Sequence, residues 1–544
     1  MSQELARETA ETKQIASAFG PLRYPVFRWL WIASVVSNIG TWIQNVGAAW
    51  LMTELTTSPL LISLIQAATT LPIFLLGLPA GAMADIVDRR WLLIVAQIWM
   101  GIAAGLLALF TMANLMSPWL LLGLTFALGL GFAMNAPAWQ AIIPELVPRS
   151  DLQTAVNLNG VSLNASRAVG PAIGGMVVTA AGPVAAFLLN AVSFIAVIYV
   201  LYRWDRVPER KTLPAERLIG ATRAGIRYVL HAPSVHSVLV RSIAFVTGAS
   251  GLWALLPAIT RSDPSRGPGD YGLLLGCLGI GAIIGTFLLP NIRRTWGMSE
   301  VTLGGSLIYA IATGLISCTS SFTVWCLLLV PAGAGWLAVL TSMSGSVQIL
   351  VPSWVRARVI AVYLLGFYGG LAAGSIAWGI VADHWGSRLA LGLSALWTGA
   401  GLLTSLYFRL PEGAPPNLEP SHHWPEAPAV PDPNFEKGPV LITVEYTINL
   451  VDAPEFLRAA DAVRHVRLRD GGLHWDLFED ASIPGRFVEV FSVESWAEHL
   501  RQHDRVTNED RAVESTLIAF HVGPDRPKVT HLIAAWPPNV ASLW

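Results

Sequence analysis

Leu146-Val147-Pro148 opens a stretch that runs through Gly170 and Gly175 to Gly182, and the same spacing returns 204 residues later, from Leu350-Val351-Pro352 through Gly374 and Gly379 to Gly386. Both stretches enclose an apolar run of about 20 residues, the length that crosses a bilayer as a helix. One spanning helix and its flanking turns are therefore used twice. Working outward from this pair, apolar segments of similar length lie at 26–52, 58–83, 91–113, 117–139, 156–180 and 184–202, and after a polar gap at 235–260, 271–291, 299–319, 322–348, 359–382 and 387–408. The breaks carry Pro, Gly or charge, as at Ser58-Pro59, Ser117-Pro118 and Gly182-Pro183. Six segments, a gap and six more predict an all-α membrane protein of twelve transmembrane helices in two pseudo-symmetric six-helix halves. Parallel halves of this kind hold a substrate between them near mid-membrane and rock about it.

Composition supports the division. The 544-residue chain is 53% hydrophobic and 13% charged, with a mean hydropathy of +0.53; a soluble chain is roughly a quarter charged. The net charge of −1 is a cancellation, because residues 1–410 carry +9 and residues 411–544 carry −10. This excludes a soluble enzyme or a nucleic-acid binder as the main description. Cys277, Cys318 and Cys326 all lie in apolar runs, which supports neither a disulfide framework nor a zinc site. No catalytic residue, metal site or cofactor is expected. Residues 1–18 mix acids and bases and lack the apolar core of a signal peptide.

Lys and Arg fix the orientation. With the N-terminus inside, 19 Lys and Arg up to residue 410 fall on inner loops and tails, and three, Arg261, Arg266 and Arg388, on outer loops. Twelve spans then place both termini in the cytoplasm of a cell whose plasma (inner) membrane holds the protein. The expected domains are a cytoplasmic tail (1–25), a six-helix bundle (26–203), a basic linker (204–234), a second bundle (235–410), a Pro-rich linker (411–439), a cytoplasmic domain (440–536) and a tail (537–544). The basic linker reads either as an interfacial helix, with Leu218, Ile226, Val229 and Leu230 on its apolar side, or as a solvated connection.

The soluble part alternates at Val440, Ile442, Val444, Tyr446 and Ile448, as a half-buried strand does. A helix over 453–469 follows, then strands near 473–479 and 486–493. Ser495-x-x-Glu498 reads as a capping box opening a helix through His503, followed by a helix near 508–520 and a strand near 528–536. That β-α-β-β-α-β order predicts a ferredoxin-like α+β domain. His499 and His503 share a helix face at i, i+4, a spacing that suits a metal or haem but more often marks a polar helix face. The domain is similar to the antibiotic-biosynthesis-monooxygenase-like type, a fold that pairs as dimers, which implies dimerisation through it. No catalytic residue is carried over.

Two membrane segments bear a family likeness. Gly81-Ala82-Met83-Ala84-Asp85-Ile86-Val87-Asp88-Arg89-Arg90, between the second and third segments, resembles the signature loop of the major facilitator superfamily, Gly-x-x-x-Asp-x-x-Gly-Arg-Arg/Lys, with Asp88 in place of its second glycine. Gly170-Pro171-Ala172-Ile173-Gly174-Gly175 resembles the Gly-Pro-x-x-Gly-Gly motif of antiporters in that superfamily, which packs helices closely. Export members often carry an arginine four residues before a Gly-x-Gly in span four; here Thr125 precedes Gly129-Leu130-Gly131. The runs 137–145 and 164–171 look like the subgroup containing the enterobactin exporter and macrolide efflux proteins. The resemblance spans about residues 20–410 and implies a secondary transporter rather than an enzyme. It would export small amphipathic molecules, drugs or siderophores, by alternating access and in exchange for protons.

The polar residues inside the spans supply the candidate site, because a charge there is costly unless it is used. Arg167 lies near mid-membrane, with Asn164 and Asn157 on its face; Asn38, Thr41 and Asn45 share a face of span one beside Gln44. Together they offer a cation and amide donors to an anionic or catecholic substrate; alternatively Arg167 bonds the carbonyls freed at Pro171. Trp42, Trp50, Trp139, Trp253, Tyr363 and Tyr368 are available to stack on a flat molecule. Asp85, Arg89, Arg90 and Gly81 form the expected conformational gate. Carboxylates are scarce in the spans, and Glu54, at the outer end of span one, is the candidate for proton coupling. The remaining readings are a metabolite importer and a membrane-tethered monooxygenase or regulatory protein acting through the soluble domain.

Overall fold

Proline at the first helical turn sets where the membrane helices begin, since its fixed φ and missing N–H cost nothing there. In the computed structural model, which describes residues 19–206, 218–410, 416–424 and 438–535, helices α1 (Pro25–Leu55), α2 (Pro59–Ile86) and α4 (Pro118–Leu146) all start this way. Ser58 and Ser117 cap α2 and α4, each accepting a bond from the backbone N–H three residues on. Asp88 caps α3 (Arg89–Met112) by accepting from the N–H groups of Arg90 and Trp91. The chain continues through α5 (Leu152–Arg203), α6 (Leu218–His231), α7 (Pro233–Arg261), α8 (Pro268–Ile292), α9 (Met298–Cys318), α10 (Phe322–Leu350), α11 (Ser353–Trp385) and α12 (Ser387–Gly401).

Ten helical segments among the described residues are long and apolar enough to cross a membrane. Two features separate this count from the twelve expected. Helix α5 holds two arms joined at a kink, where Gly182 adopts φ +75°. Helix α1 has 31 residues but falls outside the ten, because Ser34, Ser37, Asn38, Gln44 and Asn45 dilute its apolar surface.

The internal repeat has a physical counterpart. Gly182 and Gly386, matched across the 204-residue offset, both take a positive φ, +75° and +89°, that only glycine adopts without strain. Gly182 separates the two arms of α5, and Gly386 separates α11 from α12. Gly47 and Gly251 share the same offset: a Cβ on the first would meet Ala186 at 3.0 Å, and on the second Ser394 at 2.5 Å. Each half thus packs its first helix tightly on its last.

By contact density the chain forms two units. The first comprises residues 1–215, 240–343 and 364–407, the second 216–239, 344–363 and 408–544. The second unit contains an antiparallel sheet of β1 (Val440–Thr447), β2 (Gly472–Glu479), β3 (Arg486–Val493) and β4 (Lys528–Ile533), ordered β2-β3-β1-β4. Helices α13 (Ala453–Arg469), α14 (Trp496–Arg505) and α15 (Asn508–Ile518) complete it. The strands alternate as read: Val440, Ile442, Val444 and Tyr446 enter a core with Phe456, Val463, Phe487, Phe491 and Trp496. The expected capping box is only half formed. Ser495 accepts from the N–H of Glu498, but the Glu498 carboxylate turns away to Arg505 and Arg501. The reciprocal box lies one helix on, between Thr507 and Asp510.

The same unit corrects the linker. Helix α6 is neither a solvated connection nor simply interfacial, because its Tyr228 is 2% exposed and packs within this unit. The Arg469 guanidinium lies 5.3 Å from the Tyr228 ring centroid and that of Arg505 4.2 Å from Trp354, while the two rings meet edge to face at 6.0 Å. Arg227 pairs with Glu498 at 3.5 Å, and a Cβ on Gly225 would sit 2.9 Å from that of Arg358. The soluble domain is therefore seated on α6 and on the first turns of α11.

Candidate functional site

A helix that must pack on one side and face a polar space on the other separates its residues by angle, and α1 does so. Gly40, Ile43, Gln44 and Gly47 are buried, while Asn38, Thr41, Trp42 and Asn45 are half-buried on the neighbouring face. Gln44 is structural: its side-chain oxygen accepts from Asn190 at 2.6 Å. Across from this face, the first arm of α5 comes close because Gly170 and Gly174 carry no side chain. A Cβ on Gly170 would meet that of Trp42 at 2.5 Å, and on Gly174 the Ile43 Cα at 2.9 Å.

This approach sets Arg167 over Trp42, guanidinium to ring centroid 5.9 Å. Arg167 forms no ion pair or hydrogen bond among the described residues, so the alternative in which it bonds carbonyls freed at Pro171 is not what the structure holds. Tyr368 lies within electrostatic range of it. From Trp42 a row of rings crosses into the second half: Trp253 at 6.4 Å, Trp336 a further 5.6 Å, Phe367 at 6.3 Å and Tyr368 at 5.5 Å. The indole N–H groups of Trp253 and Trp336 are buried without a hydrogen-bond partner among the described residues. The sequence reading named Trp42, Trp253 and Tyr368 but missed Trp336 and Phe367. No local sequence signal singles them out; in the structure Gly333 and Gly335, which precede Trp336, press on neighbouring backbone and bring its helix close to those helices. Of the other aromatics, Trp50 donates to Glu54, Trp139 donates to Asn159, and Tyr363 is buried in the second unit.

Asn164 is exposed and donates to the Gly160 carbonyl at 3.0 Å, and Thr41 donates to the Ser37 carbonyl at 2.9 Å. Asn164 keeps its side-chain oxygen free of that bond, and Thr41 its acceptor capacity. The arrangement offers the positive charge of Arg167, flat apolar faces and scattered polar groups, with no carboxylate paired to that charge among the described residues.

The two halves meet on either side of this site. Small residues bring α5 onto α8: a Cβ on Gly272 would lie 2.6 Å from the Gly175 Cα, and one on Gly279 2.5 Å from the Ala168 Cα. Helix α2 meets α11 where Ser58 donates to Asp383 at 2.6 Å and where a Cβ on Gly369 would lie 2.8 Å from the Phe74 ring.

The charged loop engages the first half. Arg89 donates to Glu145 at 3.0 Å and to the Ala141 carbonyl, and Arg90 donates to the carbonyls of Leu201 and Tyr202 at 2.8 and 2.6 Å. Arg206 grips Glu145 at 2.6 and 2.9 Å and pairs with Asp88 at 2.8 Å. The sequence reading missed Glu145 and Arg206 as members of this cluster. Gly81 has open space where its Cβ would be, and the Asp85 side chain lies outside the described residues. Glu54, exposed in the last turn of α1, accepts from the Trp50 indole at 3.0 Å.

The soluble domain holds a separate polar centre. Glu489, fully buried, accepts from Tyr446, Trp475 and Arg467 at 2.9–3.0 Å. Arg467 also reaches Glu514, which is bonded to His423 and Trp424. Burial pushes the Glu514 carboxyl up, but Arg467 and its other partners outweigh that and hold it at about 2. The pair His499 and His503 is not a solvated face. His499 is 2% exposed, its Nε2 lies 3.3 Å from that of His503, and the His531 ring joins at 4.8 Å. Burial and these two neighbours push His499 down to about 4. Among the described residues no group of three side chains has metal-holding geometry.

A bundle of membrane-length helices in two repeated halves, with Arg167 set at the head of a row of rings that joins them, is the build of a multi-pass membrane transporter. The chain matches the transmembrane secretion effector family over residues 16–538 and belongs to it, within the major facilitator superfamily. It is similar to the staphyloferrin A transporter of Staphylococcus aureus (24% identical, 73% of this chain and 99% of that one). It is also similar to the multidrug efflux pump Tap of Mycolicibacterium fortuitum (23%, 70% and 94%) and to the enterobactin exporter EntS of Shigella boydii (24%, 59% and 76%). Among solved structures, a bacterial homolog of the lysosomal transporter Spinster aligns with TM-score 0.56 at 14% identity over 71% of this chain and 98% of that one. The nucleoside transporter NupG aligns with TM-score 0.56 at 11% identity over 71% and 99%. At these identities the structures speak to fold alone.

Proposed function

We propose that this transporter exports small amphipathic anions of the drug or siderophore class by alternating access, in exchange for protons. The observation that carries the reading is Arg167, a cation without a carboxylate partner, set over Trp42 at the head of a row of rings that joins the halves. A guanidinium in a low-dielectric setting binds an anion far more strongly than it would in water. The tilted indole faces suit a flat or catecholic group, and relatives named for staphyloferrin A and enterobactin agree with that chemistry. Arg167, Asn164, Asn38, Thr41 and Asn45 line the substrate cavity in this reading. Gly170, Pro171, Gly174 and Gly175 keep the helices close, and Gly81, Asp85, Arg89 and Arg90 form the inner gate. Glu54 takes the proton.

The ten membrane-length helices become twelve when both arms of α5 are counted and α1 is added. With both termini cytoplasmic, the Ser58–Asp383 contact lies at the outer end, so the arrangement is closed outward. The soluble domain, ordered β2-β3-β1-β4 with helices on one face, is read as ferredoxin-like, with dimerisation through it. Its buried polar groups bond one another, which favours a docking role over chemistry. The domain limits given from sequence complete the proposal.

The test is substrate accumulation in cells lacking their own exporters, with wild type and Arg167→Ala at matched membrane levels, with and without a protonophore. Lower accumulation in wild type, restored by the substitution and by the protonophore, is expected. Higher accumulation in wild type would mean import.

A further inference from the structure

An apolar groove of about 520 Å³ opens on the outside of the helical unit, between the start of α1 and the end of α5. Its walls come from Trp29, Ile32 and Val36 on one helix and Ala196, Tyr199 and Val200 on the other, and its end is closed by Pro25, Arg203 and Trp204. From Pro25 to Val36 the helix rises about 16 Å, half the roughly 30 Å hydrocarbon thickness of a bilayer. The groove is therefore one leaflet deep.

Its mouth is basic. Arg203 lines it, with the guanidinium 5.3 Å from the Tyr199 ring centroid, and Arg28, the residue before Trp29, stands 5.6 Å from that ring. Both are exposed, and neither has a carboxylate partner among the described residues. Their neighbours are engaged: Arg23 with Asp151, Arg90 with the Leu201 and Tyr202 carbonyls, Arg206 with Glu145 and Asp88. Two guanidiniums without a carboxylate partner among the described residues, beside an apolar slot lined by Trp29 and Tyr199, match the chemistry of a negatively charged phospholipid.

We infer that this groove is a binding site for an anionic phospholipid, one acyl chain lying along α1 and α5 and the phosphate held by Arg203 and Arg28. The groove walls supply position more than affinity, because a lipid tail gains little on leaving other tails. Selection over a zwitterionic lipid comes from the arginines, each contributing about 1 kcal/mol at a membrane surface. The site lies away from the transport residues and does not depend on what is transported. Only its placement in the cytoplasmic leaflet rests on the topology proposed above.

The experiment is native mass spectrometry of the purified full chain with equal mole fractions of phosphatidylglycerol and phosphatidylcholine. Wild type should retain the anionic lipid roughly thirtyfold more strongly. The double substitution Arg28→Ala, Arg203→Ala should abolish the preference, and Arg294→Ala, at an exposed arginine elsewhere, should leave it intact. A second measurement guards against misfolding of the double variant. Phosphatidylglycerol carrying a photoreactive acyl chain should label wild type on the peptides that contain Ile32 and Ala196. Equal retention of the two lipids, a preference that survives the double substitution, or labelling confined to other helices would overturn the inference. None of these readouts requires transport or a particular membrane orientation, so a failure of the export reading would leave them unchanged.

Discussion

Arg167 is a residue whose cost argues for the use proposed above. A guanidinium without a carboxylate partner inside a membrane bundle is expensive to keep, and its neighbour on α1 is a ring face, Trp42. Replacing it with alanine should weaken substrate binding by about 2 kcal/mol, roughly thirtyfold, read as uptake by inverted vesicles at increasing substrate concentration. Arg167→Lys should recover only part, since lysine lacks the planar fork. In the soluble domain His499 makes a pH prediction. Its folded pKa of about 4 lies below the ordinary 6.5, so the unfolded domain binds a proton that the folded one refuses. Stability should fall as pH drops from about 6.5 towards 4, by on the order of 3 kcal/mol. Glu514, held at about 2, adds a loss of the same sign below about 4.5. Hydrogen exchange of β1 and β3 in the full chain should quicken over that range, and His499→Gln should flatten its upper part.

At the scale of elements, glycine determines the contacts. A methyl on Gly272 would lie 2.6 Å from the Gly175 Cα and 2.7 Å from the Pro171 carbonyl, backbone atoms that cannot rotate away. Gly272→Ala should therefore destabilise the α5–α8 contact by about 1–3 kcal/mol. With Cys318 replaced by serine, thiol labelling of a Ser58→Cys reporter should rise in that background and stay low where Gly272 is kept. Gly182→Ala and Gly386→Ala should each lower stability by about 1–2 kcal/mol, measured as melting temperature in detergent, and by similar amounts because the two turns are copies. These elements were legible in the sequence because glycine spacing and apolar length are local properties. What was not legible is non-local. Nothing near Trp336 or Phe367 says that they continue a row begun at Trp42, and no pattern around Glu498 says that it will leave its own helix cap for Arg505 and Arg227. Likewise, i, i+4 spacing placed His499 and His503 on one face but could not say that β4 would cover it with His531.

For the whole molecule, the repeat and the seat of the soluble domain matter most. Trp354→Ala with Arg505→Ala removes the 4.2 Å stacking contact and should loosen that domain. Limited proteolysis within 411–439 followed by native gel analysis should then release the domain, where wild type retains it. The seat also has a consequence for how the protein is made. Tyr228 and Trp354 leave the ribosome well before residues 440–535, which cover them, so every nascent chain passes through a stage with two large aromatic side chains uncovered. A chain stopped early, by a nonsense codon after residue 410 for instance, never leaves that stage. Cellular proteases and chaperones act on such exposed patches, and so residues 440–535 also serve to hide a mark that a truncated chain would display.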